Sequence, residues 1–227
     1  MCGRYSFVAS KEKTQKQLGI KVQGVLQPNY NVAPTNMAYV IASDSPTEVQ
    51  RMVWGLIPYW SGEIAVGGGN LINARAEGIS AKSSFRMPVR QHRCLVLADS
   101  FYEWRVYGKQ KLPYRIMLKD SAIMPLAGIW DTWERPDRQL VHSFAIITTD
   151  ANDDMAEIHD RMPVILTSPE EQQLWLGKDT ELSTTLALLK KLPNNSLRIY
   201  PIDAAINSVA ANSPDLHKEV AAPPSLF

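Results

Sequence analysis

Short apolar segments rich in β-branched and aromatic residues alternate with turn residues along most of the chain. Gly, Pro, Asp or Ser bound these segments, as they usually bound strands. Strands are therefore predicted at MAYVIAS (37–43), QRMVWGLIP (50–58), CLVLADSFYEW (94–104), YRIMLK (114–119), IMPLAGIW (123–130) and HSFAIITT (142–149). The pattern indicates a mainly β protein.

Helix signals are fewer. SKEKTQKQLG (10–19) starts with a Ser cap and stops at Gly19, and SPEEQQLWLG (168–177) has Ser168 as N-cap, Pro169 at the first helical position and Gly177 as its stop. TELSTTLALLKKLP (180–193) predicts a third helix. A shorter helical turn is predicted through DANDDMAEIH (150–159), which places His159 near its C-terminus.

No repeat or long linker interrupts the strand segments between residues 37 and 149. The glycine run AVGGGN (65–70) lacks the spacing of a phosphate-binding or dinucleotide-binding loop and is read as a flexible connection. We therefore predict the α+β class: one domain over residues 2–227, mainly β, with an irregular barrel-like core and peripheral helices.

Composition excludes several function classes. The chain has 227 residues, 45% of them hydrophobic, without an apolar run long enough to span a membrane or a secretory signal pattern, so we expect a cytoplasmic protein. Cys2 and Cys94 are predicted to be free thiols, and the four histidines show no metal-ligand spacing, so no metal or cofactor is expected.

Charge is unevenly distributed although the formal net charge is only +1. Residues 75–115 carry nine Lys or Arg against three Asp or Glu, whereas residues 150–181 carry two against nine. A local basic face is one interpretation, and charges that cancel over a folded surface are the other. Charge alone does not indicate a nucleic-acid site.

The second residue is a cysteine, which would become N-terminal after removal of Met1. An α-amine has a pKa of about 7.7 to 8.0 and is nucleophilic at neutral pH. It condenses with an aldehyde to an imine, which the neighbouring thiol can close into a thiazolidine. The same residue suits an N-terminal-nucleophile hydrolase, and a chance cysteine is the third interpretation.

Polar residues within apolar segments are further candidates. In LINARAE (71–77), Asn73, Arg75 and Glu77 alternate and would share one face of a strand. Glu103 lies between bulky aromatics, where a desolvated carboxyl suits general acid work, and His159 directly precedes an apolar strand. Each has a structural alternative: a satisfied loop amide, an ion pair or a helix cap.

Aromatic residues cluster in WGLIPYW (54–60). Trp54 is expected in the core. A turn at Pro58 would expose Tyr59 and Trp60 as flat rings for stacking on the bases of single-stranded nucleic acid.

Several ordered motifs make the chain resemble the SOS response-associated peptidase (SRAP) family, whose members crosslink to abasic sites. They run from residue 2 to about residue 210: MCGRY (1–5), YNVAP (30–34), WGLIPYW (54–60), LINARAE (71–77), SFYEW (100–104), IHDRMP (158–163) and PIDAAINSV (201–209). The order of the motifs is more specific than any one of them.

The resemblance implies a thiazolidine crosslink from Cys2 to the ring-opened abasic sugar in single-stranded DNA. Asn73 would orient the adduct, Glu103 would transfer protons and support a slower lyase step or reversal, and His159 would assist sugar opening. The implied DNA contacts are phosphate contacts by Arg4, Arg75 and Arg161, stacking by Tyr59 and Trp60, and a cleft lined by Asn31, Pro34 and Thr148. The protein would associate with the nucleoid when bound to DNA.

Two other functions stay open at this stage. One is a cysteine peptidase with Cys2 as nucleophile, His159 as base and Glu103 as orienting acid. The other is a nonenzymatic single-stranded DNA binder that uses the aromatic pair and the arginines. The acidic stretch at 150–160, which flanks His159, would repel DNA unless it faces away.

Overall fold

Strands form most of the regular structure. The computed structural model describes residues 2–62 and 71–221. Within these ranges the strands are β1 Arg4–Phe7, β2 Asn29–Val32, β3 Met37–Ala42, β4 Ser45–Trp54, β5 Asn73–Arg75, β6 Arg93–Ala98, β7 Ser100–Tyr107, β8 Gln110–Leu118, β9 Met124–Glu134, β10 Leu140–Asp150, β11 Arg161–Pro163 and β12 Leu197–Pro201.

Helices are short and peripheral. They are α1 Lys11–Leu18, α2 Ser83–Arg86, α3 Pro88–Gln91, α4 Pro169–Leu176 and α5 Leu182–Ala187, with 3-10 helices at Ala204–Asn207 and Pro214–His217. The expected mainly β fold with a barrel-like core and peripheral helices is confirmed.

Five strands close into a barrel. β4 pairs with β3, β3 with β6, β6 with β9, β9 with β10, and β10 returns to β4 through a parallel pairing at Ser143 and Phe144. Closure leaves these strands without an open edge between them. Two three-residue strands, β5 and β11, attach to the end of β10.

A second sheet, in the order β12-β8-β7-β1-β2, carries the N-terminal strand. β1 pairs with β7 in an antiparallel register in which Arg4 lies opposite Tyr102. Because Cys2 precedes Arg4 by two residues, this register brings it beside Glu103. The pairing therefore joins residues that are about a hundred positions apart in the chain.

The core lies between the two sheets and inside the barrel. Trp54 is completely buried, as predicted, with its ring 5.1 Å from that of Tyr5 and stacked on Phe144. Trp54 Nε1 donates to the carbonyl of Ile72 at 3.0 Å. Cys2 belongs to the same buried cluster.

The predicted segments overlap β3, β4, β6 to β10, α1 and α4, with three differences. β4 covers Ser45–Trp54, so the segment predicted at 50–58 starts too late and its last four residues lie beyond the strand. The run at 94–104 forms two strands, because Asp99 turns aside and its carboxylate accepts hydrogen bonds from Ser6 and the backbone of Val8. The third predicted helix spans only Leu182–Ala187. The short turn predicted within 150–159 is present as hydrogen-bonded turns over residues 153–158, after β10 ends at Asp150, and the backbone N–H of His159 donates to the carbonyl of Met155.

The ends of helices α1 and α4 follow their predicted caps. Ser10 caps α1, and Gly19 ends that helix at φ 64°, a conformation that glycine adopts easily. Ser168 and Glu171 form a reciprocal capping box on α4. The glycine run at 65–70 lies outside the described residues, as does Met1, so one domain over 2–227 stays a prediction. Among the residues described, none of the helices has the length and hydropathy of a membrane span.

Candidate active site

Cys2 lies buried at the start of the N-terminal strand. Its carbonyl accepts a hydrogen bond from Asn73 Nδ2 at 2.9 Å, and its Sγ lies 3.8 Å from the carbonyl oxygen of Arg4. Asn73 stands at the first position of β5, which pairs in parallel with β10. Strand pairing therefore fixes the backbone of Cys2 from the side of the barrel.

Asn73 also presents an acceptor to this site. Its Oδ1 is buried and has no hydrogen-bond partner among the described residues. Leaving a buried polar atom unpaired costs about 1 to 3 kcal/mol. An acceptor kept in this state next to Cys2 is suited to receive a proton donor from a bound group.

Glu103 supplies a buried carboxyl that interacts electrostatically with Cys2. Burial raises its pKa above the ordinary 4.5, and the positive charge of His159 acts in the other direction. Burial also raises the pKa of the Cys2 thiol far above its ordinary 9.0, and the charge of Glu103 raises it further. Burial therefore makes both protons harder to remove than those of a solvent-exposed side chain.

His159 stands half-buried at the end of the turns that follow β10. Its Nδ1 accepts a hydrogen bond from the backbone N–H of Arg161 at 2.9 Å and lies 2.8 Å from Asp160 Oδ1. The two contacts need opposite protonation of Nδ1. The backbone N–H of Arg161 can only donate, so Nδ1 is the acceptor and the proton of the neutral ring lies on Nε2. The Asp160 side chain is 85% exposed, so its carboxylate is able to turn from Nδ1 to solvent.

Arg161 lies in a dense ion-pair network. Its guanidinium forms a bidentate pair with Glu77 at 2.8 and 3.0 Å, and it donates to Asp150 at 2.6 Å and to the carbonyl of Thr148 at 2.7 Å. The side chain is buried, and its pKa is raised by Glu77 and Asp150 although burial lowers it. A phosphate contact by Arg161 stays a prediction, and these bonds give the residue a structural role as well.

Arg4 and Asn31 bind each other and the C-terminal segment. Arg4 Nη1 donates to Asn31 Oδ1 at 2.8 Å and to the carbonyl of Ile206 at 2.9 Å, while Asn31 Nδ2 donates to the carbonyls of Ser208 and Ala211. Burial lowers the pKa of Arg4. The two residues attach β1 and β2 to the 3-10 helix at Ala204–Asn207.

Of the remaining predicted DNA contacts, Arg75 and Thr148 lie where β5 pairs with β10, and Pro34 lies between β2 and β3. Arg75 is exposed at the end of β5, opposite the buried Thr148 in the register. Pro34 is half-buried in a turn between β2 and β3, followed by Thr35 at φ 75°. The N–H of Thr35 donates to the carbonyl of Trp54 at 2.8 Å.

Tyr59 and Trp60 are exposed by 63% and 56%. They follow Pro58 in a turn between β4 and β5, in which the N–H of Ser61 donates to the carbonyl of Pro58. The exposed aromatic pair predicted from the sequence is therefore present. Its role in stacking stays a prediction.

The acidic stretch after β10 is largely bonded within the protein. Asp150 binds Arg161 and Glu157 binds Arg105. Asp153 and Asp154 accept hydrogen bonds from the segment 194–197. These contacts direct much of the negative charge toward protein partners.

Two residues near the site were missed by the sequence reasoning. Tyr5 is fully buried, and its hydroxyl has no hydrogen-bond partner within the described part of the chain. Burial raises the pKa of the Tyr5 hydroxyl well above its ordinary 10.0. Asp131 lies buried below the Tyr59 turn. A polar group inside the apolar IWDTW segment was the signal that could have found Asp131.

A large groove on the described part of the chain lies away from this chemistry. It has a volume of about 580 Å³ and is bordered by α1, the β3–β4 turn and α4, with Asp44 and Lys178 on its rim. It contains none of the residues around Cys2, so its size does not make it the active site. No group of three or more His, Cys, Asp or Glu in the described ranges is arranged to hold a metal ion.

Comparison with known proteins identifies a family and several relatives of this chain. The family described as SOS response associated peptidase (SRAP) matches residues 1–209. Abasic site processing protein YoqW of Bacillus subtilis (strain 168) is 39% identical over 222 residues, which cover 95% of this chain and 98% of that protein. Abasic site processing protein YoaM of the same organism is 38% identical over 222 residues, with coverage of 95% and 97%.

Solved structures show the same fold. The crystal structure of a protein from Bacteroides thetaiotaomicron superposes with a TM-score of 0.87 at 32% sequence identity, covering 97% of this chain and 100% of that chain. The family match and the identity to full-length relatives lead to one conclusion. The chain belongs to the SOS response-associated peptidase (SRAP) family.

Proposed function

We propose that this protein processes abasic sites in single-stranded DNA by forming a covalent thiazolidine crosslink through Cys2. The observation that carries the proposal is that Cys2 is hydrogen-bonded by the Asn73 amide and lies near enough to the Glu103 carboxyl to interact electrostatically, with His159 acting on Glu103 in the same way. The family match and the names of the relatives, which are abasic site processing proteins, support the same substrate.

The raised pKa of the Cys2 thiol argues for an amine-first order of steps. A protonated thiol is a weak nucleophile, whereas an α-amine freed by removal of Met1 is partly neutral near pH 7. The amine nitrogen bonds to the aldehyde carbon of the ring-opened sugar, and one water leaves as the imine forms. The S–H then adds across the C=N bond, with sulfur on carbon and the proton on nitrogen, and closes the five-membered ring.

Each neighbouring residue has a part in this sequence. Glu103, whose pKa is raised by burial, donates the proton that the departing oxygen needs as water. Asn73 fixes the backbone of Cys2 and offers its unpaired Oδ1 to the amine or the adduct. His159 carries the Nε2 proton toward the sugar oxygen during ring opening.

DNA is bound by a small set of cations and rings. Arg75, which is exposed two positions after Asn73, binds a phosphate, and Arg4 and Arg161 supply further phosphate contacts. Tyr59 and Trp60 provide stacking surfaces for unpaired bases. Asn31, Pro34 and Thr148 shape the cleft. The chemistry uses no metal. The protein joins the nucleoid from the cytoplasm when it binds DNA.

Intact-protein mass spectrometry tests the proposal. After incubation with an oligonucleotide that holds one abasic site, we expect protein without Met1 and an adduct equal to protein plus oligonucleotide less one water. Cys2→Ala abolishes the stable adduct. Cys2→Ser retains the amine, so it forms an imine that borohydride traps but no adduct that survives denaturation without it.

The control is Cys94→Ala, because Cys94 is the second buried thiol and lies in the barrel wall. It should crosslink like the wild type. A stable adduct in Cys2→Ala would contradict the proposal. Retention of Met1 on a crosslinking protein would also contradict it, because the α-amine would then not belong to Cys2.

A lyase step is a secondary outcome of the same imine. If a base removes a C2′ proton before the thiol adds, the 3′ phosphate leaves and the strand is cut. Glu103, once it has given up its proton, is the carboxylate placed to act as that base. We expect strand cleavage to rise in Cys2→Ser, since that variant lacks the thiol that competes for the imine.

A further inference from the structure

The turn that carries Tyr59 and Trp60 is fastened to the barrel wall by three hydrogen bonds. Ser143 Oγ accepts from the N–H of Ile57 at 2.8 Å, and Asp131 Oδ2 accepts from the N–H of Tyr59 at 2.9 Å. Trp133 Nε1 donates to the carbonyl of Ser61 at 2.8 Å. The segment 57–61 is therefore held at its start, its middle and its end.

The three side chains share one face of the β9–β10 ladder. Asp131 and Trp133 are two positions apart on β9 and so project to the same side. Ser143 lies directly opposite Asp131 in the antiparallel register. All three residues are buried, and their strands belong to the closed barrel. We call Asp131, Trp133 and Ser143 the turn frame.

Asp131 is the centre of this frame. Its second oxygen, Oδ1, accepts from the N–H of Thr132 at 2.9 Å and lies 3.7 Å from His92 Nδ1. Burying a carboxylate is costly, and bonds to both oxygens offset that cost. An aspartate within the apolar IWDTW segment is explained by the turn that it holds.

The frame matters because the turn exposes two large rings. Stacking on a base orders the residues that carry the rings, and each backbone residue fixed costs about 1 to 2 kcal/mol. A turn that is already fixed in the free protein avoids part of this cost when DNA binds.

We propose that Asp131, supported by Trp133 and Ser143, is a positioning residue that holds Tyr59 and Trp60 ready to stack on the unpaired nucleotides beside the lesion. This inference rests on the proposed function for its ligand. It assigns no role to Asp131 in the chemistry at Cys2.

The test uses an oligonucleotide with a tetrahydrofuran abasic analogue, which has no aldehyde and cannot crosslink. A 2-aminopurine base next to the analogue reports changes in stacking through its fluorescence. We expect Asp131→Ala to weaken binding about tenfold, as for the loss of one charge-assisted bond, and to reduce the fluorescence change at saturation. Asp137→Ala, which removes a half-exposed carboxylate from the same β9–β10 hairpin, should match the wild type.

A double-mutant comparison separates positioning from general destabilisation. In a Tyr59→Ala/Trp60→Ala background, Asp131→Ala should cost almost nothing further, because its effect passes through the rings. The crosslinking rate at saturating concentrations of a true abasic oligonucleotide should stay near that of the wild type, since the frame does not contact Cys2. An equal loss of affinity in both backgrounds, or no loss in either, overturns the proposal.

Two further variants keep the test decisive if Asp131→Ala does not fold. Asp131→Asn keeps one acceptor oxygen where the turn and Thr132 need two, and Ser143→Ala removes only the bond to Ile57. Both should give smaller losses in the same direction, and wild-type behaviour in both overturns the inference. A wild-type protein that changes the 2-aminopurine signal but never crosslinks would refute the proposed function and leave the frame standing.

Discussion

At the scale of single residues, the buried carboxyl of Glu103 is suited to proton transfer but lowers the stability of the folded protein when it is ionised. Burial raises its pKa above 4.5, so the folded protein holds this proton more tightly than the unfolded chain does. The stabilisation from that proton is complete below pH 4.5 and is lost as the pH rises through the raised pKa. A structure selected only for stability would place an uncharged side chain here.

Glu103→Gln should therefore be more stable and less active. At pH values above the raised pKa, we expect the free energy of unfolding to increase by about 1 kcal/mol, because the buried charge is gone. The crosslinking rate should fall about 100-fold with loss of the proton donor. Denaturant unfolding and single-turnover gels across the pH range measure the two effects.

Glu157→Gln is the matched control, since Glu157 is an exposed carboxylate shortly before His159. It should alter neither quantity appreciably. The stability gain of Glu103→Gln should vanish below pH 4.5, where both side chains are neutral. Crosslinking by Glu103→Gln at the wild-type rate would remove Glu103 from the proton transfer.

At the scale of elements, three residues of β5 and three of β11 hold Asn73 and His159 on either side of the end of β10. Strands this short add few ladder hydrogen bonds. Arg161 compensates by joining β11 to β10 through Thr148 and Asp150, and to the residue Glu77 beyond β5. The site therefore depends on one planar guanidinium.

Arg161→Lys tests this dependence. Lysine keeps the charge but cannot form the bidentate pair, so we expect a loss of about 2 kcal/mol in the free energy of unfolding near neutral pH. The pKa of Glu77 is lowered chiefly by its hydrogen bond from Arg161, so this part of the stability is present above pH 4.5 and is lost as the pH falls through the lowered value. The difference between variant and wild type should shrink in acid.

Arg138→Lys is the comparison, because Arg138 forms an exposed pair with Glu134 and should lose little stability. Urea unfolding provides the measurement. Unchanged stability of Arg161→Lys, together with weakened DNA binding, would instead make Arg161 chiefly a phosphate contact.

At the scale of the whole molecule, a nearly neutral protein binds a polyanion through local charge. Arg161 and Arg4 are engaged by protein groups, and the acidic residues after β10 bind partners within the protein. Arg75 remains exposed beside Asn73. Few phosphates are then neutralised, so the salt dependence of DNA binding should be shallow.

For the tetrahydrofuran oligonucleotide, three phosphate contacts predict a slope of log K against log salt of about −2. Arg75→Ala should make this slope shallower by about 0.7 and weaken binding at low salt. Arg138→Ala, which removes an exposed charge from the β9–β10 hairpin, is the control and should leave the slope unchanged. Equal slopes for Arg75→Ala and wild type would exclude Arg75 as a phosphate contact. Fluorescence anisotropy over a salt series supplies the data.

Local patterns were sufficient for the parts of the fold that nearest neighbours decide. Apolar segments rich in β-branched and aromatic residues predicted the barrel strands, and Ser10, Gly19 and Ser168 marked helix ends, because caps depend on a few adjacent backbone groups. β1 and β2 escaped prediction, since four-residue strands of mixed polarity are stabilised by their partners rather than by their own composition. The division of the segment 94–104 at Asp99 was not predicted, because the partners of the Asp99 carboxylate, Ser6 and Val8, lie far away in the sequence.

The sequence by itself determined the family, through a cysteine at position 2 and polar residues embedded in apolar segments in a specific order. Only the tertiary structure decided that Cys2 meets Glu103, that Glu77 and Asp150 hold Arg161, and that Asp131 fixes the Tyr59 turn. The physical reason is the distance along the chain over which each property is decided. Side-chain chemistry and strand periodicity are local properties, whereas burial, pKa and the partner of each charge depend on which distant strands pair, and that pairing is set by the free energy of the whole core.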